Sequence, residues 1–142
     1  MSAVERRYLI FAMSGALYAF DLAQVAEVSE LQATWPIPGT PACYAGAMNF
    51  HGSIVAVMDL AQFMNLTVCR LPEKLIILDP GIAALAFLVE RILRIVSEKQ
   101  VEKRIDTGEE RFGSALLVLP EGRATLLDAD VIAGFATEEI NV

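Results

Sequence analysis

The sequence predicts a mainly β fold whose short strands curl into small closed or nearly closed barrels. Three observations carry this. Apolar runs rich in Val, Ile, Leu, Phe and Tyr recur along the chain, each too short for a long helix. Compact turn signals separate them, at Ser14-Gly15, His51-Gly52, Asp79-Pro80-Gly81 and Pro120-Glu121-Gly122, where glycine supplies positive φ and proline presets its own. Hydrophobic residues make up 55% of the 142, above the ~45–50% apolar share of an average soluble domain. That surplus excludes disorder and predicts more apolar surface than one small core can hide.

Taken in order, residues 7–13 and 16–20 flank the first turn, 44–50 and 53–58 the second, 75–78 and 82–87 the third, and 116–119 and 123–127 the fourth. Four hairpins of similar length result. Asp21, Asp59 and Asp128 each precede an apolar helical turn, where a carboxylate accepts from the free N–H groups of the first turn and contributes ~1 kcal/mol, a structural role. The stretch 35–41 holds Pro36, Pro38 and Pro41, which rules out helix and central strand and predicts an extended loop of fixed course. In residues 89–101, Val89, Ile92, Leu93 and Val96 have helix-like spacing while the run also reads as strand; residues 102–111 read as a solvated polar loop. An internal echo sets Tyr8-Leu9-Ile10-Phe11 with Ala19-Phe20 beside Leu75-Ile76-Ile77-Leu78 with Ala86-Phe87, at a constant offset of 67 residues. It suggests an internal duplication.

The length suits a single domain over residues 1–142. Eighteen acidic residues against eleven basic ones leave a formal charge of −7, which makes nucleic acid and anionic membrane poor partners. No apolar run reaches the ~18 residues of a membrane span, so direct membrane insertion is not expected. Arg6-Arg7 and the apolar run after them imitate a secretory signal, but Glu5 dilutes the positive flank and no small-residue cleavage site follows before Asp21. Cytoplasmic residence is the expectation. Cys43 and Cys69 lack C-x-x-C spacing and read as small buried hydrophobes, neither a zinc ribbon nor a redox pair.

Chemistry-bearing groups are sparse. The one histidine, His51, occupies a hairpin turn. Cys43, His51 and Asp59 can be written as nucleophile, base and orienter, yet their order and spacing match no local signature. No P-loop, G-x-G-x-x-G or H-E-x-x-H pattern occurs, and no metal-ligand spacing is present. No catalytic residue, cofactor or metal is therefore assigned. Arg91, Arg94, Lys99, Lys103 and Arg104 are diluted by Glu90, Glu98 and Glu102, a solvated face rather than an anion site. Trp35, the one tryptophan, reads as core packing, or as an interface anchor if it is half-exposed.

The pieces Tyr8-Leu9-Ile10-Phe11, Tyr18-Ala19-Phe20-Asp21-Leu22, Val25-Ala26-Glu27-Val28, Pro36-Ile37-Pro38 and residues 46–60, Gly46-Ala47-Met48-Asn49-Phe50-His51-Gly52 onward, resemble in content and mutual spacing the CheW family of bacterial chemotaxis coupling proteins. The likeness runs on through residues 75–95 and, more weakly, to Leu126 and the closing helix. It implies two small five-stranded β-barrel subdomains sharing an apolar interface, divided near residues 67–74 with strands free to interleave between them. It also implies a non-enzymatic adaptor that binds the cytoplasmic tip of chemoreceptors and the regulatory domain of a CheA-type histidine kinase. Position by position, Val25, Glu27 and Val28 fall near the family's partner-binding groove. Gly46, Asn49 and Gly52 form its G-x-x-N-x-x-G framework, with His51 and Ile54 beside them. His51 departs from the arginine usual there, giving up a fixed charge and a forked donor for a shorter reach.

The leading expectation is a scaffold joining receptor to kinase by burying apolar patches, with an exposed patch near Val25, Val28 and residues 46–54. An adaptor for a divergent kinase pathway, such as surface motility, is the second reading. A small apolar ligand binder or hydrolase using Cys43, His51 and Asp59 is the third. Weak self-association is expected if the kinase domain contacted is a homologue of the chain itself.

Overall fold

The computed structural model describes residues 5–67, 70–107 and 112–140, and of 137–140 the backbone alone. Among them, eleven strands and two helices follow in the order β1 (Arg7–Met13), β2 (Ala16–Asp21), β3 (Val25–Glu30), β4 (Tyr44–Phe50), β5 (Ser53–Asp59), α1 (Leu60–Phe63), β6 (Lys74–Leu78), β7 (Leu85–Val89), β8 (Arg91–Ser97), β9 (Lys103–Asp106), β10 (Gly113–Leu119), β11 (Gly122–Leu127) and α2 (Ala129–Ile140). Short 3-10 turns lie at Leu22–Gln24 and Glu98–Gln100. The strands form a six-stranded first sheet, ordered β8-β1-β2-β11-β10-β9, and a five-stranded second sheet, ordered β3-β6-β7-β5-β4. The chain crosses from first to second sheet through Leu22–Gln24 and returns through the single residue Glu90, so both sheets take strands from either side of residues 67–74.

Alternation along the strands explains why they read as unbroken apolar runs. In β1, Tyr8 and Ile10 enter a core inside the first sheet, while Leu9, Phe11 and Met13 enter a core between the sheets. In β6, Leu75 and Ile77 fill a core inside the second sheet, and Ile76 and Leu78 turn to the shared one. These strands are buried on both faces, which favours continuous rather than alternating hydrophobicity. The shared core holds a stack of rings, Phe11 on Phe20 at 5.3 Å between centroids and Phe20 on Phe87 at 5.6 Å, running from one sheet into the other. Three cores therefore absorb most of the apolar surplus that the composition predicted would spill onto the surface. The large hydrophobic residues left exposed include Val28, Leu31, Trp35 and Ile54, all in or beside the second sheet.

The mainly β, two-part architecture agrees with the sequence, with two differences. Each part is a curled open sheet rather than a closed barrel, and the first has six strands instead of five. The first sheet curls far enough for Arg104 on edge strand β9 to donate to the Tyr8 hydroxyl on β1 at 3.4 Å, and for Arg94 on the other edge strand to grip Glu121, in the β10–β11 turn, through two 2.9 Å hydrogen bonds. The sixth strand, β9, lies within the 102–111 stretch that the sequence presented as a loop. Its exposed Lys103, Arg104 and Asp106 conceal a strand whose only half-buried side chain is Ile105, the charged pattern that protects a sheet edge. Residues 108–111 of that stretch, and Cys69, lie outside the described residues. The 89–101 ambiguity resolves as strand β8 because its apolar residues pair with β1, Ile92 opposite Phe11 and Val96 opposite Tyr8. All three aspartate caps form, Asp21 accepting from the Ala23 N–H, Asp59 from that of Gln62 and Asp128 from that of Asp130.

Phe87 is fully buried in the shared core, so Phe87→Ala lowers stability by about 3–5 kcal/mol, read from the urea midpoint. Glu121 is held below the usual carboxylate range by its hydrogen bonds from Arg94. A depressed carboxyl stabilises the fold above its unfolded value and stops doing so as pH falls through its folded value. The difference in thermal midpoint between the parent and Glu121→Gln is thus present at neutral pH and fades below about 4.5, the ordinary value for glutamate.

Candidate functional site at the edge junction of the second sheet

The β4–β5 hairpin turns on His51 and Gly52, whose φ values of 48° and 86° fit the doubly positive turn that matches strand twist. The Asn49 side chain fixes it, its Oδ1 accepting the Gly52 N–H at 2.9 Å. The His51 ring packs on Phe50 with centroids 4.3 Å apart. Its Nε2 lies 3.7 Å from Glu27 Oε2 on β3, joining the hairpin tip to the opposite edge of the sheet order. Both side chains are well exposed, 78% for His51 and 46% for Glu27, and such pairs add little to stability. Their carboxylate and imidazole are instead available to a partner.

Gly46 has a separate duty. It sits at a register shift in β4 with φ 142°, and a Cβ there would lie 2.3 Å from the Trp35 carbonyl oxygen. That closeness exists because Trp35 forms an antiparallel bridge with Ala47, its N–H donating to Ala47 O at 2.9 Å and its carbonyl accepting from Ala47 N–H at 2.8 Å. The proline-rich segment after β3 thereby lines the open edge of β4. Gly46 acts through backbone geometry, making room for this bridge.

The remaining expected residues divide by face. Val25 lies opposite Leu78 and Val28 opposite Ile76, partners belonging to the shared core; Val25 packs against that core half-buried, while Val28 is 36% exposed. Glu27 lies opposite Ile77, on the face of the second sheet's own core. Ile54, opposite Asn49, is 68% exposed. Val28 and Ile54 are thus on different strands, β3 and β5, and the apolar positions do not form one row. Trp35, 46% exposed, meets the condition under which the sequence made it an interface anchor, whereas Leu31, 51% exposed, was not singled out. The signal was present for Trp35, a bulky ring in a loop whose prolines fix its course without providing a core.

The Cys43, His51 and Asp59 trio does not assemble. Cys43 and Asp59 meet at the open end of the hairpin, where the Asp59 N–H donates to the Cys43 carbonyl at 2.7 Å. His51 is at the turn, six residue pairs away on the ladder, about 20 Å at strand rise. Asp59 is occupied in capping α1, and Cys43 is buried. Hollows of about 290 and 310 Å³ lie elsewhere, beside the β1–β2 turn and beside residues 5–7 with 21–23. Among the described residues, no group of three or more His, Cys, Asp and Glu could hold a metal ion, and no helix is long and apolar enough to cross a membrane.

The model of the CheW-like domain matches residues 7–135, nearly the whole chain. The chain belongs to the CheW-like domain family. A chemotaxis protein CheW from Thermotoga maritima is 28% identical over 142 residues, covering 97% of this chain and 91% of that protein. Among solved structures, the scaffolding protein TtCheW from Thermoanaerobacter tengcongensis superposes with a TM-score of 0.75 at 18% identity, covering 88% of this chain and 90% of that one, a likeness of fold. The Glu27–His51 contact thus lies at the hairpin tip, while Gly46 makes room for the Trp35 bridge further along β4.

Gly46→Ala forces the Trp35 strand away from β4. The expected result is a loss of about 1–3 kcal/mol, the usual cost of backbone strain, with a red shift of Trp35 fluorescence as the ring gains solvent. An unchanged emission maximum would show that the bridge survives the added methyl group.

Proposed function

We propose that this CheW-like chain is a non-enzymatic adaptor of bacterial chemotaxis signalling that couples the cytoplasmic tip of a chemoreceptor to the regulatory domain of a CheA-type histidine kinase. The reading is supported above all by the exposed side chains in and beside the second sheet, Val28, Leu31, Trp35 and Ile54, together with the exposed Glu27–His51 contact. Exposed apolar positions with a polar rim suit a protein interface. A half-exposed tryptophan is a frequent source of binding energy in one. Within the proposal, the Glu27 carboxylate offers charge and the His51 ring offers hydrogen bonds to the partner, Val25 and Val28 border its groove, and Gly46, Asn49 and Gly52 hold the backbone in place. The adaptor works in the cytoplasm without cofactor, nucleic acid or membrane insertion, and self-association is a weak side reaction of the same surfaces.

Capture by an immobilised CheA-type regulatory domain tests this. Glu27→Lys reverses the exposed charge and should reduce capture at least tenfold while leaving the thermal midpoint within a degree or two. Equal capture by parent and variant would remove Glu27 from the contact, and no capture of either would remove the kinase. His51 favours a second reading, an adaptor for a divergent kinase pathway, because the family's usual arginine is replaced. On that reading His51→Arg gains affinity for a chemotaxis kinase that the parent binds poorly; a variant no tighter than the parent counts against it.

A further inference from the structure

The hollow of about 290 Å³ beside the β1–β2 turn exists because the hairpin offers it only small residues, Ala12, Gly15 and Ala16, while Arg70, Glu90 and Arg91 complete its lining. Arg91 is the register partner of Ala12, and Arg70 comes from the segment that precedes β6. Two positive groups therefore meet one negative group. The Glu90 carboxylate is committed to the turn, where it accepts the Ser14 N–H at 2.9 Å. Among the described residues, neither Arg70 nor Arg91 forms an ion pair. By contrast, the hollow of about 310 Å³ beside residues 5–7 sets Arg6 and Arg7 against Glu5 and Asp21, so its charges balance. An uncompensated positive corner on a chain of formal charge −7 is a local field that selects an anionic group.

The backbone adds a donor. Ser14 and Gly15 turn with φ values of 54° and 74°, and the two central N–H groups of such a turn lie outside the strand ladder. Glu90 takes the first, and the second belongs to Gly15, which lines the hollow. Beside Arg70 in the chain stands Leu71, at 82% the most exposed of the large hydrophobic residues described.

From this we infer that the hollow is a docking site for an acidic peptide segment of a partner protein, taking one Asp or Glu side chain with an apolar residue next to it. Arg70 and Arg91 hold the carboxylate through charge-assisted hydrogen bonds, the strong kind, with the Gly15 N–H as a further donor. Leu71 packs on the apolar neighbour. A free inorganic anion would use the first three groups and leave Leu71 without a purpose, which favours the peptide. None of these residues belongs to the second-sheet edge where Glu27 meets His51, so the site does not depend on the adaptor reading.

Fluorescence anisotropy of the full chain with a fluorescein-labelled peptide, Gly-Leu-Glu-Asp-Leu-Gly, tests the site. Binding should saturate below about 1 mM peptide, and the Gly15 amide resonance should shift on titration. Affinity should drop at least tenfold in Arg70→Gln, in Arg91→Gln, and when Gln and Asn replace the two acidic residues of the peptide. Leu71→Ser should weaken the peptide severalfold. Arg70, Leu71 and Arg91 are exposed, so each variant should keep the parent's thermal midpoint within a degree or two, and loss of binding then reports on the site. Undiminished binding by the double variant Arg70→Gln/Arg91→Gln, a Gly15 amide that does not move, or no saturation by the parent overturns the proposal. Inorganic phosphate displacing the peptide at equal molar concentration, with Leu71→Ser without effect, overturns a peptide as the occupant.

Discussion

The apolar layer between the two sheets is the constraint on which the rest depends. Phe11, Phe20 and Phe87 stack across it, and the strands that supply them are committed to a second core on their other face. A strand buried on both faces cannot slip by one residue without exchanging its two hydrophobic sets, so its register is doubly specified. That stiffness reaches the surface through short connections. Asp59 closes β5 onto α1, Asp128 does the same for β11 and α2, and Gln24 ties the first crossover to α2 by donating to Asp128 and accepting from the Ala129 N–H.

Against that interior, the two exposed polar contacts of the sheets serve different ends. Arg94 and Glu121 meet with bidentate geometry, which costs little additional ordering once the guanidinium fork is aligned. Glu27 and His51 only approach one another. The first sheet spends its polar contact on its own closure, while the second leaves Glu27 and His51 largely exposed. An adaptor surface needs the second arrangement, since groups satisfied internally have nothing to offer a partner.

Much of this was legible in the sequence where local chemistry decides structure. The glycine-bearing turns, the aspartate caps and the four hairpins follow from turn and cap preferences, and the spacing of residues 46–60 carried the family resemblance. What escaped was decided by distant contacts. Strand β9 was hidden because an edge strand is permitted to look like a loop. The role of Gly46 depends on Trp35, eleven residues earlier, arriving beside it. The surplus of apolar residues was visible, but its destination was not, because composition does not distinguish a sticky surface from strands with two buried faces. The offset of 67 residues was also plain, yet only the pairing shows that the two echoing hairpins lie in different sheets.

The return crossover between β7 and β8 consists of Glu90 alone, and its carboxylate accepts the Ser14 N–H at 2.9 Å in the β1–β2 turn. A link of one residue has no slack to take up. A tug applied at the second sheet travels along β7 and reaches β8 as displacement instead of dissipating as loop motion, while the Ser14 contact passes the same movement to the hairpin alongside. Mechanically the molecule resembles a hinge pinned shut, better suited to conveying orientation between neighbours than to bending between them.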